Sequence, residues 1–387
     1  MPEAVIVDTL RTPIGRAFKG SLAQLRPEEM GAYVIDQLLE RNPDVDPESV
    51  EEVYAGCGMP QGLQAFNVAR IMVLLSEKLP MSVNGATVSR YCASSLEAIR
   101  QAGNAVKAGE GDVYIASGIE WVSRFNERTE PAGVADQNEN LQGGNGNPDA
   151  YIQMGDTAVN VAKKFNVGRE DMDRYAQRSQ ELAVASQGDG FFDREIVPVE
   201  LPDGTKVEKD DGPRASSTYE KLSELPEAFE GGGGVTAGNS CPLNDGAAAA
   251  LIMSDTKAEE LGVKPRARII TSATSALEPE IMGVAPIGAI HNVLERAGMK
   301  IEDVDRVELN EAFAAQVIPI MEKCEIPLEK MNAHGGAIAL GHPFGMTGAR
   351  IMGTLLNGLE TDDKTIGLET MCVAGGQGQA MLVERLN

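Results

Sequence analysis

Residues 92–118, CASSLEAIRQAGNAVKAGEGDVYIASG, and residues 342–371, HPFGMTGARIMGTLLNGLETDDKTIGLETM, decide the reading of the fold. Each opens on a side chain with reactive chemistry, Cys92 or His342, and runs into a helical pattern. Each then crosses an acidic turn and closes on an apolar strand. The two openings stand 250 positions apart. A second echo has nearly the same offset: IEDVDRVELNEAF (301–313) follows the pattern of PESVEEVYAGCG (47–58), with Val304 and Val307 placed 254 positions after Val50 and Val53. Strand–helix units repeated at one offset predict an α/β chain of two similar halves with an insertion between them. Compositional likeness among βαβ units is the plainer reading of the same pattern.

Working outward, Val5-Ile6-Val7 is a short β-branched run that ends in the turn signal Arg11-Thr12-Pro13-Ile14-Gly15. A helix is predicted from about Pro27 to Arg41, and DPESVEEVYAGCG (46–58) reads as a helical turn entering a strand. Thr87–Lys107 reads as a strand-like approach to a helix starting at Cys92, with a strand at Val113–Ala116. From about Trp121 to Asn147 the chain is polar, rich in Asn, Gln and Gly, and aperiodic, as in an excursion away from the core. Residues 151–190 look helical and 191–246 mixed, with Gly231–Gly234 as a hinge or a close backbone approach. An apolar strand resumes at Ala247–Met253.

The 387 residues carry 34 basic and 58 acidic side chains, a formal net charge of −24. That balance argues against nucleic-acid binding, which needs a basic face to displace phosphate counterions, and disfavours anionic membranes. The hydrophobic fraction of 42% and charged fraction of 24% suit a globular protein of two or three domain-sized units. Five cysteines, Cys57, Cys92, Cys241, Cys324 and Cys372, are scattered without a CxxC pair, which suits a reducing compartment. No apolar run is long enough to span a bilayer, and the start MPEAVIVDTLRTP lacks the charge pattern of a signal peptide. A soluble, cytoplasmic protein is the expectation.

Cys92 at a helix start would face unpaired backbone N–H groups and the positive end of the helix dipole, which favour thiolate. The plainer reading is a buried core thiol. Three histidines are present. His342 lies in GGAIALGHPFGMTGAR, a glycine-rich turn that would present the imidazole as a general base. His334 lies eight residues earlier, without a Cys or carboxylate cluster at metal-ligand spacing, so no metal site is expected. His291 reads as a structural residue at a helix start. Cys372, in MCVAGGQGQA, ends an apolar strand entering glycines, but the spacing fits neither nucleotide-loop pattern and no helix follows. NEAFAAQ (310–316) sets an amide and a carboxylate at the end of the strand Val307–Leu309, where α/β sheets bind ligands. Asn310 as a plain helix cap is the alternative.

Together, SRYCASSLEAI around Cys92, Asn310-Glu311-Ala312-Phe313, ALGHPFGMTGAR around His342 and CVAGGQG around Cys372 resemble the four catalytic blocks of thiolases. RTPIG (11–15), GLQAFNVAR (62–70), MGDTAVNVA (154–162), DDGPRASSTYEKL (210–222) and TAGNSCPLNDGAAA (236–249) extend the resemblance over essentially the whole chain. It implies two similar βαβαβαββ-type halves in a layered α/β/α/β/α core with an inserted loop domain. Residues 1–120 with about 247–267 would form the N-terminal half, 121–246 the loop domain, and 268–387 the C-terminal half. It also implies thiolysis of 3-ketoacyl-CoA to acetyl-CoA and a shortened acyl-CoA, or the reverse condensation. Coenzyme A would then be a substrate, with no tightly bound cofactor. Cys92 would carry the acyl group as a thioester, His342 would deprotonate Cys92 and then CoA, and Cys372 would exchange the proton at the acetyl α-carbon. Asn310, through a water and with His342, would stabilise the enolate, while the backbone N–H groups of Cys92 and Ala374 would form a second oxyanion hole. The chemistry agrees: cleaving a 3-ketothioester needs a group that is both nucleophile and leaving group, a carbon acid–base, and donors for two oxyanions.

The same resemblance sets Arg214 near the CoA phosphates and Leu225 and Phe229 against the pantetheine. Ala237 and Cys241 would line that tunnel, Met154 and Met282 its acyl end, with Ala312 and Phe313 of the NEAF block adding to the substrate wall. An acidic protein must concentrate positive potential locally to admit a polyanion, and Arg214 is the first candidate, with Lys206, Lys209 and Lys221 nearby. Some positions depart from the family pattern. Gln153 stands where dedicated acetoacetyl-forming members carry His, Cys241 replaces Ser, Ala374 replaces Gly, His334 replaces Asn, and Met346 is bulkier than the usual Ala. The expectation is therefore a degradative 3-ketoacyl-CoA thiolase, ahead of a biosynthetic acetoacetyl-CoA thiolase. A ketosynthase is disfavoured by Cys372 and NEAF, and a catalytically silent CoA-binding scaffold by the intact reactive set. Assembly as a homodimer, or a tetramer with contacts in 121–150, is also implied.

Overall fold

In the computed structural model, residues 2–125, 137–144 and 146–387 are described, so part of the 121–150 segment lies outside them. The first half runs β1 (Ala4–Arg11), β2 (Gly15–Arg16), α1 (Pro27–Arg41), β3 (Glu52–Cys57), α2 (Val68–Leu75), β4 (Asn84–Val88), α3 (Ser94–Ala108) and β5 (Val113–Trp121). Between β5 and its return strand β8 (Asn244–Ser254) come α4 (Met154–Phe165), α5 (Arg169–Gly188), the small hairpin β6 (Val199–Glu200) and β7 (Lys206–Val207), and α6 (Tyr219–Ser223). After α7 (Asp255–Leu261) the second half runs β9 (Ala267–Ala276), α8 (Pro286–Ala297), β10 (Arg306–Leu309), α9 (Ala314–Lys323), α10 (Ala337–Leu340), α11 (Thr347–Thr361), β11 (Ile366–Val373) and β12 (Gln377–Arg385).

The repeat is real in three dimensions. Strands of the first half lie in the order β4-β3-β5-β8-β1, and those of the second in the order β10-β11-β12-β9. Directions match as well: β3 and β5 are parallel like β10 and β11, while β8 and β12 each lie antiparallel between their neighbours. The counterpart of β4 is reduced to one parallel bridge, Val307 to Met331. Val5 and Ile6 of β1 pair with Arg268 and Ala267 of β9, so the halves share one hydrogen-bonded sheet.

Three apolar clusters give the layers. One joins α3 and α11 to the inner faces of both halves, through residues such as Leu96, Ile99, Leu355, Ala250 and Met381. The second packs α1 and α2 on the outer face of the first half, and the third packs α8 and α9 on the outer face of the second. The order is therefore α/β/α/β/α. Thirteen of fifteen residues of α11 are buried, which identifies it as the central helix rather than a surface one. Each fully buried Leu there contributes roughly 1.5–3 kcal/mol. By contrast α1 starts on Pro27 with Glu28 and Glu29 in its first turn, ends on Arg41, and buries one stripe through Val34, Ile35, Leu38 and Leu39.

The segment between β5 and β8 leans on the second half, where Val159, Met172, Tyr175 and Ala176 join the cluster containing Val317 and Ile320. It is also pinned to β1. Arg11, in the RTPIG turn, reaches Glu195 at 2.7 Å and grips both oxygens of Asp210 at 2.7 and 2.9 Å, all within the interior. Trp121 belongs to the core and not to the polar excursion: it ends β5 fully buried, with its indole N–H donating to Leu22 O at 3.0 Å.

Candidate active site

The chain reaches Cys92 through a braced turn. Tyr91 takes a left-handed conformation, φ +43°, uncommon for a side chain of its size. Ser94 Oγ donates to Tyr91 O at 2.6 Å and accepts from Arg90 N at 2.9 Å, while Arg90 extends to Gln377 Oε1 at 3.2 Å. A short turn, Tyr91–Ala93, thus precedes α3, which starts at Ser94 and not at Cys92. Cys92 is buried at this helix start, with the backbone N–H of Ala374 near enough to favour its ionised form. Burial pushes the thiol well above its ordinary range, with Cys372 and Cys241 adding to the rise. Desolvation thus outweighs the pull of the helix start toward thiolate, and Cys92 needs a base to ionise it.

Ala374 owes its place to the turn between β11 and β12. Gly375 and Gly376 both have positive φ, and a Cβ on Gly376 would run into Leu277 O and come within 2.9 Å of Pro279 N. Cys372, two residues before Ala374, points with Leu368 to the outer face of β11, opposite to Glu369 and Met371. Its sulfur lies 3.2 Å from Nε2 and 3.4 Å from Oε1 of Gln316, near the start of α9. Burial raises this thiol to about 11.

His342 is fixed on three sides. Its backbone N–H donates to Asn244 Oδ1 at 2.9 Å, and Asn244 Nδ2 donates to Gly15 O. Its Nδ1 stands 2.7 Å from Thr347 Oγ1, and its Nε2 3.2 Å from Asn310 Nδ2. Thr347 Oγ1 lies 2.7 Å from Pro343 O, an acceptor only, so the hydroxyl hydrogen goes there. The imidazole hydrogen is thereby assigned to Nδ1, leaving the Nε2 lone pair toward Asn310. Burial, with Arg350 nearby, lowers His342 to about 3, so it is a neutral base at neutral pH. The loop after it is tied down by Glu120 at the end of β5. That buried carboxylate accepts from Gly345 N and Gly58 N at 2.8 Å and from Gln64 Nε2 at 2.7 Å. Gly345 sits so close to β3 that a Cβ would meet Ile119 O and lie 2.8 Å from Cys57 Cα.

Asn310 is fully buried, its Oδ1 has no partner among the described residues, and its backbone carbonyl accepts from Gln316 Nε2 at 3.4 Å. Glu311 has a different task. Its carboxylate accepts from Tyr175 Oη (2.8 Å), Ser179 Oγ (2.6 Å), Asn332 Nδ2 (2.7 Å) and Ile338 N (3.2 Å), stitching α5 to the second half. Cys92, Cys372 and Cys241 thus converge, and Gln316 joins Cys372 to the Asn310–His342 pair. No hydrogen bond joins Cys92 to His342 among the described residues.

Of the predicted binding residues, Met282, Ala312 and Phe313 are buried in one cluster with Cys372, and Met154, Phe229 and Cys241 pack against it. Phe229 meets Phe313 edge-on at 6.2 Å. Leu225 and Ala237 are exposed beyond this cluster. The Arg214 side chain is exposed without a hydrogen-bond or ion-pair partner among the described residues, and Arg16 lies near enough to oppose its charge. His334 stacks on Phe191 at 3.5 Å with Ser186 Oγ at 3.2 Å from Nδ1, a packing role, and burial lowers it to about 4. His291 is exposed in the middle of α8, not at its start. No group of three potential metal ligands occurs among the described residues. Sequence reading missed Asn244, Thr347, Gln316 and Glu120. Gln316 and Thr347 stood inside recognised blocks, but their polar character alone did not say which atom each would touch.

Comparison with known proteins supplies the relatives. The profile described as "Thiolase, N-terminal domain" matches residues 4–256, and "Thiolase, C-terminal domain" matches 263–385. The chain is 41% identical to the 3-oxoadipyl-CoA/3-oxo-5,6-dehydrosuberyl-CoA thiolase of Escherichia coli K12, with all of both chains covered. It is also 41% identical, again over both whole chains, to a 3-ketoacyl-CoA thiolase of Idiomarina loihiensis. Among solved structures, the Bacillus anthracis acetyl-CoA acetyltransferase superposes with a TM-score of 0.91 at 36% identity, covering 100% of this chain and 99% of that one.

Proposed function

This chain belongs to the thiolase family and is an acyltransferase of the 3-ketoacyl-CoA-cleaving kind, and we propose that Cys92, His342, Cys372 and Asn310 carry its reaction. His342 Nε2 takes the Cys92 proton as sulfur bonds to the C3 carbonyl of 3-ketoacyl-CoA. The C2–C3 bond breaks, its electron pair passes into the acetyl-CoA enolate, and the Cys372 thiol protonates C2. The proton held by His342 then restores Cys372. His342 next deprotonates incoming CoA, whose sulfur displaces the acyl group from Cys92, and the Cys92 thiolate recovers its proton from His342. Asn310 with His342 serves the enolate oxygen, and the N–H groups of Cys92 and Ala374 serve the tetrahedral intermediates. The observation that carries this reading is the linked set His342–Asn310–Gln316–Cys372, with the buried Cys92 close enough to Cys372 to feel its charge.

Coenzyme A is the co-substrate; its proposed route runs past Leu225, Phe229, Ala237 and Cys241 to the acyl end at Met154, Met282, Ala312 and Phe313. Arg214, whose side chain has no ion-pair partner among the described residues and which lies near Arg16, supports that end as the phosphate site, because neighbouring like charges favour a polyanion. Rates of thiolysis across 3-ketoacyl-CoAs of increasing length test the substrate class, with 3-oxoadipyl-CoA added because a relative is named for it. Rates at least comparable on longer substrates support the degradative reading. Strong preference for acetoacetyl-CoA would favour the biosynthetic one, which the name of the solved neighbour keeps in play.

The proposed domain division at about 120, 247 and 268, with the intervening segment as the loop domain, is supported by the matched strand orders. Self-association is proposed through the edge of β4, where Phe66 is 92% and Met81 74% exposed beside Leu74 and Leu75. Light scattering should give a dimer or larger, and Phe66→Asp should lower the mass. Five unpaired cysteines support a cytoplasmic setting, and among the described residues no helix is long and apolar enough to cross a membrane.

A further inference from the structure

We propose that Gln316 is a positioning residue for Cys372, supporting its sulfur in both protonation states and coupling it to Asn310. The inference rests on the acid–base role proposed for Cys372. Gln316 is wholly buried in the first turn of α9, where an amide persists only if its polar atoms find partners. Its partners are those of the reacting centre. Nε2 lies 3.2 Å from Cys372 Sγ and 3.4 Å from Asn310 O, so its two hydrogens can serve both, while Oε1 lies 3.4 Å from the same sulfur.

A carbon acid–base must exist as thiol before it protonates C2 and as thiolate afterwards. The amide meets both needs without rotating. An N–H of Gln316 stabilises the thiolate, and Oε1 accepts the S–H of the thiol. Burial alone pushes Cys372 upward, and the Gln316 N–H is the side-chain contact that holds it down. The titratable groups around it are the thiols Cys92, in the turn before α3, and Cys241, ahead of β8, with Glu311 in reach of Cys241, and His342, a neutral base reached through Asn310. Glu308, Glu369 and Arg350 lie against the opposite face of β10 and β11, so among the described residues no fixed charge does this work in place of the amide. The second hydrogen, on Asn310 O, ties the proton donor to the residue proposed to receive the enolate.

The test is deuterium exchange at the acetyl methyl of acetyl-CoA, followed against pH, alongside mass detection of acylated Cys92. Gln316→Met keeps the volume and removes both contacts. It should slow exchange at pH 7 about tenfold or more and move the profile to higher pH, while Cys92 still acylates. Gln316→Glu is the isosteric second variant: protonated, it can donate and accept as Gln does, but ionised it repels the thiolate. Its exchange should therefore fall as pH rises. Cys372→Ala in the same assay separates the two levels. Exchange persisting there would refute the role of Cys372. Exchange lost there but unchanged in rate and pH profile in both Gln316 variants would overturn the role of Gln316 alone.

Discussion

Thr347 Oγ1 stands 2.7 Å from His342 Nδ1 and passes its own hydrogen to Pro343 O, so one hydroxyl sets which ring nitrogen of the base is free. Thr347→Val should leave that buried N–H without an acceptor, a cost of about 1–3 kcal/mol. Acylation of Cys92 should slow by roughly tenfold to a hundredfold, and Thr347→Ser should restore it. Rapid-quench acylation measures both variants, and equal rates for Val and wild type would remove Thr347 from the account.

Glu308 and Glu369 are directly opposed across β10 and β11, both buried, with Arg350 of α11 as the main opposing charge on each. Burial raises Glu308 to about 8 and Glu369 well above its ordinary range, despite Arg350 and with Glu311, Glu195 and Arg178 also in reach. A carboxyl raised on folding binds its proton more tightly in the native state. Stability is then full below the unfolded value near 4.5 and falls as pH rises through about 8. The limit for one proton is about 1.4 kcal/mol per pH unit. Glu308→Gln should flatten that slope and raise the melting temperature at pH 9 relative to wild type. An unchanged slope between pH 6 and 9 would show that the pair is not holding a proton.

The sequence was most informative where structure is local. The helix Pro27–Arg41 is bounded by its own proline and terminal charges, and the shared offset of Val50 and Val53 with Val304 and Val307, at the entries to β3 and β10, announced two equivalent halves. Its silence begins where partners are distant. Asn244 joins Gly15, 229 residues away, to His342, 98 residues away, and no periodicity records such a bond. The weight of desolvation at Cys92 was hidden for a similar reason. A helix start is visible in sequence, but the depth at which the folded halves bury it is not.

Arg214 has no anionic partner among the described residues and lies near Arg16. Arg214→Ala should raise KM for CoA about tenfold, as losing one charge-assisted contact implies, with little change in kcat. The wild-type KM should also rise with salt more steeply than that of the variant. Initial rates at two ionic strengths test this, and equal KM values would place the phosphates elsewhere.

Gly345 has no room for a methyl group between Ile119 O, Gly56 O and Cys57 Cα. Gly345→Ala should cost about 1–3 kcal/mol of stability and displace the loop that carries His342. Because a misplacement of about 1 Å costs on the order of a hundredfold in rate, thiolysis should fall more than the folded fraction does. Thermal melts paired with rates at a temperature where the variant is folded separate the two effects, and a folded variant with full activity would refute the positioning argument.

The central claim is that Cys92 carries the acyl group, and intact-protein mass spectrometry after incubation with acetyl-CoA tests it most directly. Wild type should gain one acetyl group, localised by peptide mapping to Cys92 and discharged by added CoA, and Cys92→Ala should gain none. Acetylation that persists on Cys92→Ala and is still discharged by CoA would contradict the account.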